Sequence, residues 1–313
     1  GRAAWAQAAA EISAVLAGNA INYEIIFVDD GSKDRTWEKI RTVNAQDTHI
    51  RGISFSRNFG KEAAILAGLA AAKGDCCVVI DGDLQHPPEK IVEMYRLWEQ
   101  GYEIVEGQKA SRGAESHAHG LAARAFYSLI SRATGIDMAN ASDFKLLDRK
   151  AVNVLINMRE RNAFFRALSS WIGFKTVSIP FDVQKRAGGC SKWSTPALAK
   201  YAVDNIASFS AAPMQLVTVL GGIMLLVSLV LGTIALVQKF SGRALGGFTT
   251  VILLILIIGG FLMLSLGIIG HYIARIYEEV KGRPKYIISH VTANVPQTAV
   301  GSWKREHRAD QNI

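Results

Sequence analysis

Cysteine is nearly absent from this chain. Three occur in 313 residues, the adjacent Cys76 and Cys77 and the distant Cys190. They make no disulfide framework, and neither a Cys-x-x-Cys pair nor a Cys/His metal spacing is present. Cys76 and Cys77 sit in an apolar run and read as packing residues, which fits a reducing, cytoplasmic setting. No Gly-x-Gly-x-x-Gly follows a strand-like run and no Gly-x-x-x-x-Gly-Lys-Ser/Thr occurs, so dinucleotide-binding and P-loop readings fail. No basic block with interleaved aromatics is present, and the net charge of +8 is modest. Nucleic acid is therefore excluded as a partner, while anionic lipid and phosphate remain. No secretory leader opens the chain, which also lacks an initiating Met, so its natural start is expected upstream.

Charge is missing altogether from two long stretches, Asn205 to Gln238 and Ala244 to Ala274. Within them, 214–237 and 248–273 each exceed the roughly 20 apolar residues that a helix needs to cross a bilayer. The connection from Lys239 to Gly247 is short, so the two form a hairpin in the lipid bilayer. Arg275, Lys281, Arg283 and Lys285 follow the second stretch, whereas the connection carries only Lys239 and Arg243. This asymmetry places the tail and the large N-terminal domain in the cytoplasm. Ahead of the hairpin, Leu198, Tyr201, Ala202, Ile206 and Phe209 recur near a 3.6-residue period. They predict an amphipathic helix, lying on the membrane interface or packed on the domain. The expected divisions are 1–193, 194–211, 212–275 and 276–313. Gly221-Gly222 and Gly259-Gly260 permit close helix approach and thus a homo-oligomer.

The first part alternates strand-like and helix-like runs. Ile25–Val28, Ile50–Phe55, Cys76–Ile80 and Glu103–Glu106 read as strands. Thr36–Asn44, the Ala-rich Lys61–Lys73 and the run from Pro87 to Trp98 read as helices. The pattern predicts an α/β domain with a mostly parallel sheet. Ligands of such sheets bind beyond the carboxyl ends of strands. Two acidic motifs stand at such ends, Asp29-Asp30-Gly31-Ser32 and Asp81-Gly82-Asp83-Leu84-Gln85. Two carboxylates flanking one residue suit a hard divalent cation, which takes few protein carboxylates and shares phosphate oxygens. Such a cation neutralises charge on a departing diphosphate.

Three segments carry a resemblance. Val28–Thr36 (Val-Asp-Asp-Gly-Ser-Lys-Asp-Arg-Thr), Ser56–Ala63 (Ser-Arg-Asn-Phe-Gly-Lys-Glu-Ala) and Asp81–Glu89 (Asp-Gly-Asp-Leu-Gln-His-Pro-Pro-Glu) resemble family 2 glycosyltransferases of the GT-A fold. More narrowly, they resemble the polyisoprenyl-phosphate glycosyltransferases, among them bactoprenol glucosyltransferases and dolichyl-phosphate mannose synthases. Ser142–Arg149 resembles that group's Asp-Phe-Arg-Leu segment, and Ile276–Pro284 resembles its tail after the second membrane helix. The likeness spans nearly the whole chain.

The resemblance implies roles. Asp29 and Asp30 would contact the uracil and ribose of a UDP-sugar. Asp81 and Asp83 would hold Mg²⁺ or Mn²⁺ on the diphosphate, and Gln85 would help position metal or substrate. Asp143 would face the acceptor as the usual candidate base, joining Asp83 as a catalytic residue. Lys109 and Arg124 would bind the lipid phosphate. Arg186, Ser191 and Lys192, in a Gly-rich loop, would clamp the diphosphate. The acceptor, a polyprenyl phosphate, is already anionic and hardly needs a base, so Asp143 is free to orient groups or to stabilise positive charge on the sugar instead.

Departures from the pattern also count. The group's first strand, expected before the Ala-rich 5–16 helix, is absent from this sequence. Lys145 stands where the group has Arg, and no Gln-x-x-Arg-Trp occurs, which argues against processive polysaccharide synthases. The implied function is transfer of glucose from UDP-glucose, with inversion, onto undecaprenyl phosphate at the cytoplasmic face of a bacterial inner membrane. GDP-mannose or a UDP-aminoarabinose derivative as donor, or a non-catalytic membrane scaffold, are the alternatives.

Overall fold

The computed structural model describes residues 4–82, 86–109, 142–158, 160, 164–182, 212–241 and 247–292. The chain divides into two compact units. One holds residues up to Trp193 together with those from Pro284 onward, and the other is Ser194–Arg283.

The first unit begins with the expected alternation: α1 (Ala4–Gly18), β1 (Ile25–Asp29), α2 (Thr36–Gln46), β2 (Ile50–Phe55), α3 (Lys61–Ala71), β3 (Cys76–Val79), α4 (Glu89–Glu99) and β4 (Ile104–Lys109). It continues with β5 (Lys145–Asp148), α5 (Arg149–Asn157), α6 (Phe165–Trp171) and β6 (Thr176–Phe181). Strand β7 (Ile288–Val291) comes from the segment that sequence alone left as a tail.

Strand β2 is buried along its whole length. It pairs in parallel with β1 and antiparallel with β7. Its Gly52 admits helix α2, since a Cβ there would lie 2.4 Å from Ile40 Cγ2. Its buried Arg51 is neutralised by Glu24 and donates to the Ala71 carbonyl at 2.8 Å. A charge inside a strand is tolerated because it is both paired and hydrogen-bonded.

The second sheet runs β3-β5-β4-β6. Phe144, Leu146, Val105, Ile179 and Phe181 interlock there with Ile91 and Met94 of α4. Asp148 closes this layer: one oxygen caps α5 through the Lys150 amide at 2.8 Å, and the other accepts from Trp98 Nε1 at 2.8 Å.

The α/β class is as expected, but the pairing is mixed rather than mostly parallel. Among the described residues, β1–β2 and β4–β6 are parallel, while β2–β7, β3–β5 and β4–β5 are antiparallel. The antiparallel members are β5, which sits between β3 and β4, and β7, which pairs with β2. Among the described residues, β1 and β3 are outer strands of their sheets and are not hydrogen-bonded to each other. An apolar cleft of about 480 Å³ lies between them, lined by Ile25, Phe27, Cys76 and Val78, with Ile12 and Leu16 of α1 alongside.

The second unit holds α7 (Ala212–Phe240) and α8 (Phe248–Val280), of 29 and 33 residues. At 1.5 Å per residue these span about 44 and 50 Å, more than a bilayer core of about 30 Å. Val217–Ile234 and Ile257–Val280 are long and apolar enough to cross a membrane. Leu225, Leu229, Met263 and Leu264 are turned outward. The predicted helix at 194–211 lies outside the described residues.

Leu146 is fully buried between β3 and β4. Leu146→Ala should lower the unfolding free energy by about 2–5 kcal/mol, read as a large drop in the melting temperature of the purified protein. An unchanged melting temperature would show that this layer is not part of the core.

Candidate active site

The first acidic motif is a turn locked against a neighbouring loop. Asp29 ends β1 and is 3% exposed. Its carboxylate accepts from the Ser32 amide at 3.1 Å and the Ser54 hydroxyl at 2.8 Å. Asp30 accepts from the amides of Phe59 and Gly60, at 2.6 and 2.9 Å. Gly31 has φ of +65°, and a Cβ there would lie 2.3 Å from the Arg57 carbonyl carbon. Only glycine meets both demands. Asp30 thus fixes the loop that leads into α3.

The next residue joins the acidic groups. Lys61 opens α3, and its Nζ stands 2.7 Å from Asp81 Oδ1 and 2.6 Å from Asp143 Oδ2. Asp81 follows the end of β3, and Asp143 precedes β5, so strands that start as separate sequence motifs converge on one ammonium. Arg166 of α6 grips Asp143 from another side in a two-pronged pair, Nε to Oδ1 at 2.7 Å and a terminal nitrogen to Oδ2 at 2.9 Å. Burial would raise the Asp143 carboxyl, but the Arg166 bonds and charge, with Lys61, outweigh it and hold the group at about 2. Burial alone would lower the Lys61 ammonium, and the Asp143 and Asp81 charges instead lift it above its ordinary value.

Two buried groups support this cluster. Glu62 accepts from the Phe165 amide at 2.8 Å, tying α3 to the start of α6. Burial pushes its carboxyl up to about 7; the amide bond opposes this and the Asp143 charge adds to it. Lys145 donates to the Ser169 hydroxyl at 2.8 Å and thereby holds α6 from below. It lies 3.0 Å from Glu106 Oε1, an ion pair by proximity although outside hydrogen-bond geometry. Burial lowers its ammonium pKa against the opposing pull of Glu106. His86, just past the second acidic motif, stacks on Phe144 with centroids 4.8 Å apart. The segment before β7 also reaches the site. Tyr286 stacks on Phe55 at 5.1 Å, and the Ser56 amide donates to the Ile287 carbonyl at 3.0 Å.

Of the residues singled out from sequence, Asp30, Asp81 and Asp143 are linked through the run 59–61, and Asp29 shapes the turn beside them. Asp83, Gln85, Arg124, Arg186, Ser191 and Lys192 lie outside the described residues, and for Lys109 only its place at the end of β4 is described. Sequence reasoning gave no role to Lys61, Glu62, Arg166 or Tyr286. Lys61 had a readable signal: a cation in the first turn of a helix opposes the helix dipole and needs another reason to be there. Arg166 had none, because only the fold brings α6 to Asp143.

Among the described residues, no three metal-ligating side chains converge. The donor chemistry still suits a hard divalent cation. Asp81 offers a half-exposed carboxylate already facing a cationic group, and Mg²⁺ or Mn²⁺ takes one or two such carboxylates beside water and phosphate.

An acidic, cation-bridged cluster at strand ends of an α/β domain stands where such sheets bind their ligands. The model described as Glycosyl transferase family 2 matches residues 6–156. An uncharacterized glycosyltransferase of Synechocystis sp. is 39% identical, covering 90% of this chain and 89% of that protein. The prophage bactoprenol glucosyl transferase homolog of Escherichia coli is 35% identical, covering 86% and 88%. The bactoprenol glucosyl transferase of Shigella phage SfV is also 35% identical, covering 85% and 88%. The solved glucosyl-3-phosphoglycerate synthase of Mycobacterium tuberculosis, in complex with Mn²⁺, UDP-glucose and phosphoglyceric acid, is 16% identical with a TM-score of 0.39, covering 63% and 81%. The chain belongs to glycosyltransferase family 2 and is a glycosyltransferase.

Glu62 gives a pH test. Folded, it keeps its proton up to about pH 7, whereas the unfolded chain releases it near 4.5. The folded state therefore binds more protons in this window, and stability falls as pH rises through it. Glu62→Gln should flatten the decline in melting temperature between pH 5 and pH 8. An unchanged slope would show that Glu62 does not carry the proton.

Proposed function

We propose that this enzyme transfers glucose from UDP-glucose, with inversion, onto the phosphate of a polyprenyl phosphate. The carrying observation is the convergence of Asp81, Asp143, Lys61 and Arg166 beside the Asp30 loop. Relatives named for bactoprenol glucosyl transfer support the choice of sugar and lipid. The two helices long and apolar enough to cross a membrane support an anchor beside a lipid acceptor, and the positive flank after α8 supports a cytoplasmic domain.

The reaction needs little acid-base chemistry. An oxygen of the anionic acceptor phosphate attacks C1 of the sugar, the C1–O bond to the diphosphate breaks, and its electron pair leaves with UDP. No proton has to move. This agrees with an Asp143 carboxyl held at about 2, which makes it a poor base near neutral pH. Asp143 instead stays charged, orients Lys61 and Arg166, and presents negative charge as positive charge develops on the sugar. Asp30 and the loop it fixes receive the nucleoside, with Asp29 holding the turn. Arg186, Ser191 and Lys192 clamp the diphosphate, and Lys109 and Arg124 offset repulsion between the two phosphate-bearing substrates. Asp81 and Asp83 would hold a divalent cation, with Gln85 beside them, and that ion would neutralise charge on the departing diphosphate.

The test is transfer of radiolabel from UDP-glucose into the organic phase, with detergent-solubilised protein, undecaprenyl phosphate and Mg²⁺ or Mn²⁺. Asp81→Asn should cut the rate by about 10²-fold or more, and EDTA should abolish it. Label only from GDP-mannose or a UDP-aminoarabinose derivative would keep the mechanism and replace the sugar. Full activity of Asp81→Asn would contradict the assignment of the site.

A further inference from the structure

We propose that Lys61 is a tethered counter-ion that occupies the cation position at Asp81 in the metal-free enzyme and yields it when the divalent metal and nucleotide arrive. This deepens the reading above and rests on its assignment of Asp81 as a metal ligand.

The geometry makes the competition direct. The Lys61 ammonium reaches both oxygens of Asp81, Oδ1 at 2.7 Å and Oδ2 at 2.9 Å. A metal bound through either oxygen must take an electron pair that now faces Lys61. Asp81 is more than a third exposed and Lys61 about half exposed, so the pair can open toward solvent. The second anchor, Asp143, is 6% exposed and doubly held by Arg166, so it stays in place. An ammonium has three donors. On leaving Asp81, Lys61 therefore keeps Asp143 and has donors free for a phosphate oxygen.

Position within the fold makes the arrangement costly without a purpose. Lys61 sits in the first turn of α3, where the helix dipole disfavours a cation. Its backbone is placed by Asp30 through the Phe59 and Gly60 amides. The same loop that receives the nucleotide thus sets the position of the ammonium. Metal-free, Lys61 keeps two carboxylates from repelling each other; loaded, its charge adds to that facing the diphosphate.

The test measures Mn²⁺ binding by electron paramagnetic resonance of the free ion, with and without UDP, in full-length wild type, Lys61→Gln, Lys61→Arg and Asp81→Asn. Without UDP, Lys61→Gln should bind Mn²⁺ roughly two- to fivefold more tightly than wild type, the scale of one partly exposed ion pair. Lys61→Arg, which keeps the charge, should stay near wild type, and Asp81→Asn should bind least. With UDP present the advantage of Lys61→Gln should vanish or reverse, since the ammonium then assists the diphosphate. A purely structural lysine would not raise metal affinity when removed. Equal or weaker Mn²⁺ binding by a Lys61→Gln protein that melts like wild type would overturn the proposal and leave the metal assignment intact. Weaker binding by a Lys61→Gln protein that melts lower would be decided by Lys61→Arg: affinity unlike wild type there also overturns it. Absence of Mn²⁺ binding in every variant, even with UDP, would remove the metal reading and this proposal together.

Discussion

The ammonium of Lys61 between Asp81 and Asp143 is the interaction on which the site depends. Two ionised carboxylates brought together at the edge of a low-dielectric core repel one another unless a cation stands between them. Lys61 supplies it from the start of a helix whose approach is fixed by Asp30, and Arg166 supplies a second from α6. Remove the bridge, and the strand ends carrying the two acidic groups lose the contact that joins them. Beneath it, the buried Lys145 and the Glu62 link to the Phe165 amide set the height of α6 and so the aim of Arg166.

This arrangement explains why Asp143 is a poor candidate for a base. Its two cationic neighbours more than offset the effect of burial and keep it charged. In the proposed reaction the acceptor is already anionic and asks for no base. Glu62, the residue after Lys61, meets the opposite balance: burial dominates, and it holds a proton near neutrality. Two neighbouring carboxyls are thus driven apart by environment alone, one kept as a charge and one kept as a hydrogen-bonding wedge between α3 and α6.

Much of the fold was readable from local pattern. β2 at Ile50–Phe55 and the starts of α2, α3 and β3 fall where the apolar runs and turn residues place them. The long uncharged runs became α7 and α8 for the same reason. What local pattern could not show is pairing across distance. β5 inserts antiparallel between β3 and β4, and β7 returns from beyond the second unit to pair with β2, some 235 residues earlier in the chain. The site divides the same way. Asp30, Asp81 and Asp143 were legible because short motifs carry them at strand ends. Arg166 and Tyr286 act only through the fold, and nothing in their own sequence neighbourhoods announces a role.

The division into two units gives the chemistry its setting. An α/β domain supplies a polar, charge-rich site, and the second unit supplies a pair of helices long and apolar enough to cross a membrane. The claim that these serve one reaction is tested most directly by the product. Lipid recovered after incubation with UDP-glucose and undecaprenyl phosphate would be analysed by nuclear magnetic resonance. The account predicts one glucose joined through C1 to the lipid phosphate in the β configuration, inverted from the α-linked donor. An α-linked product, or sugar attached anywhere other than the phosphate, would contradict it.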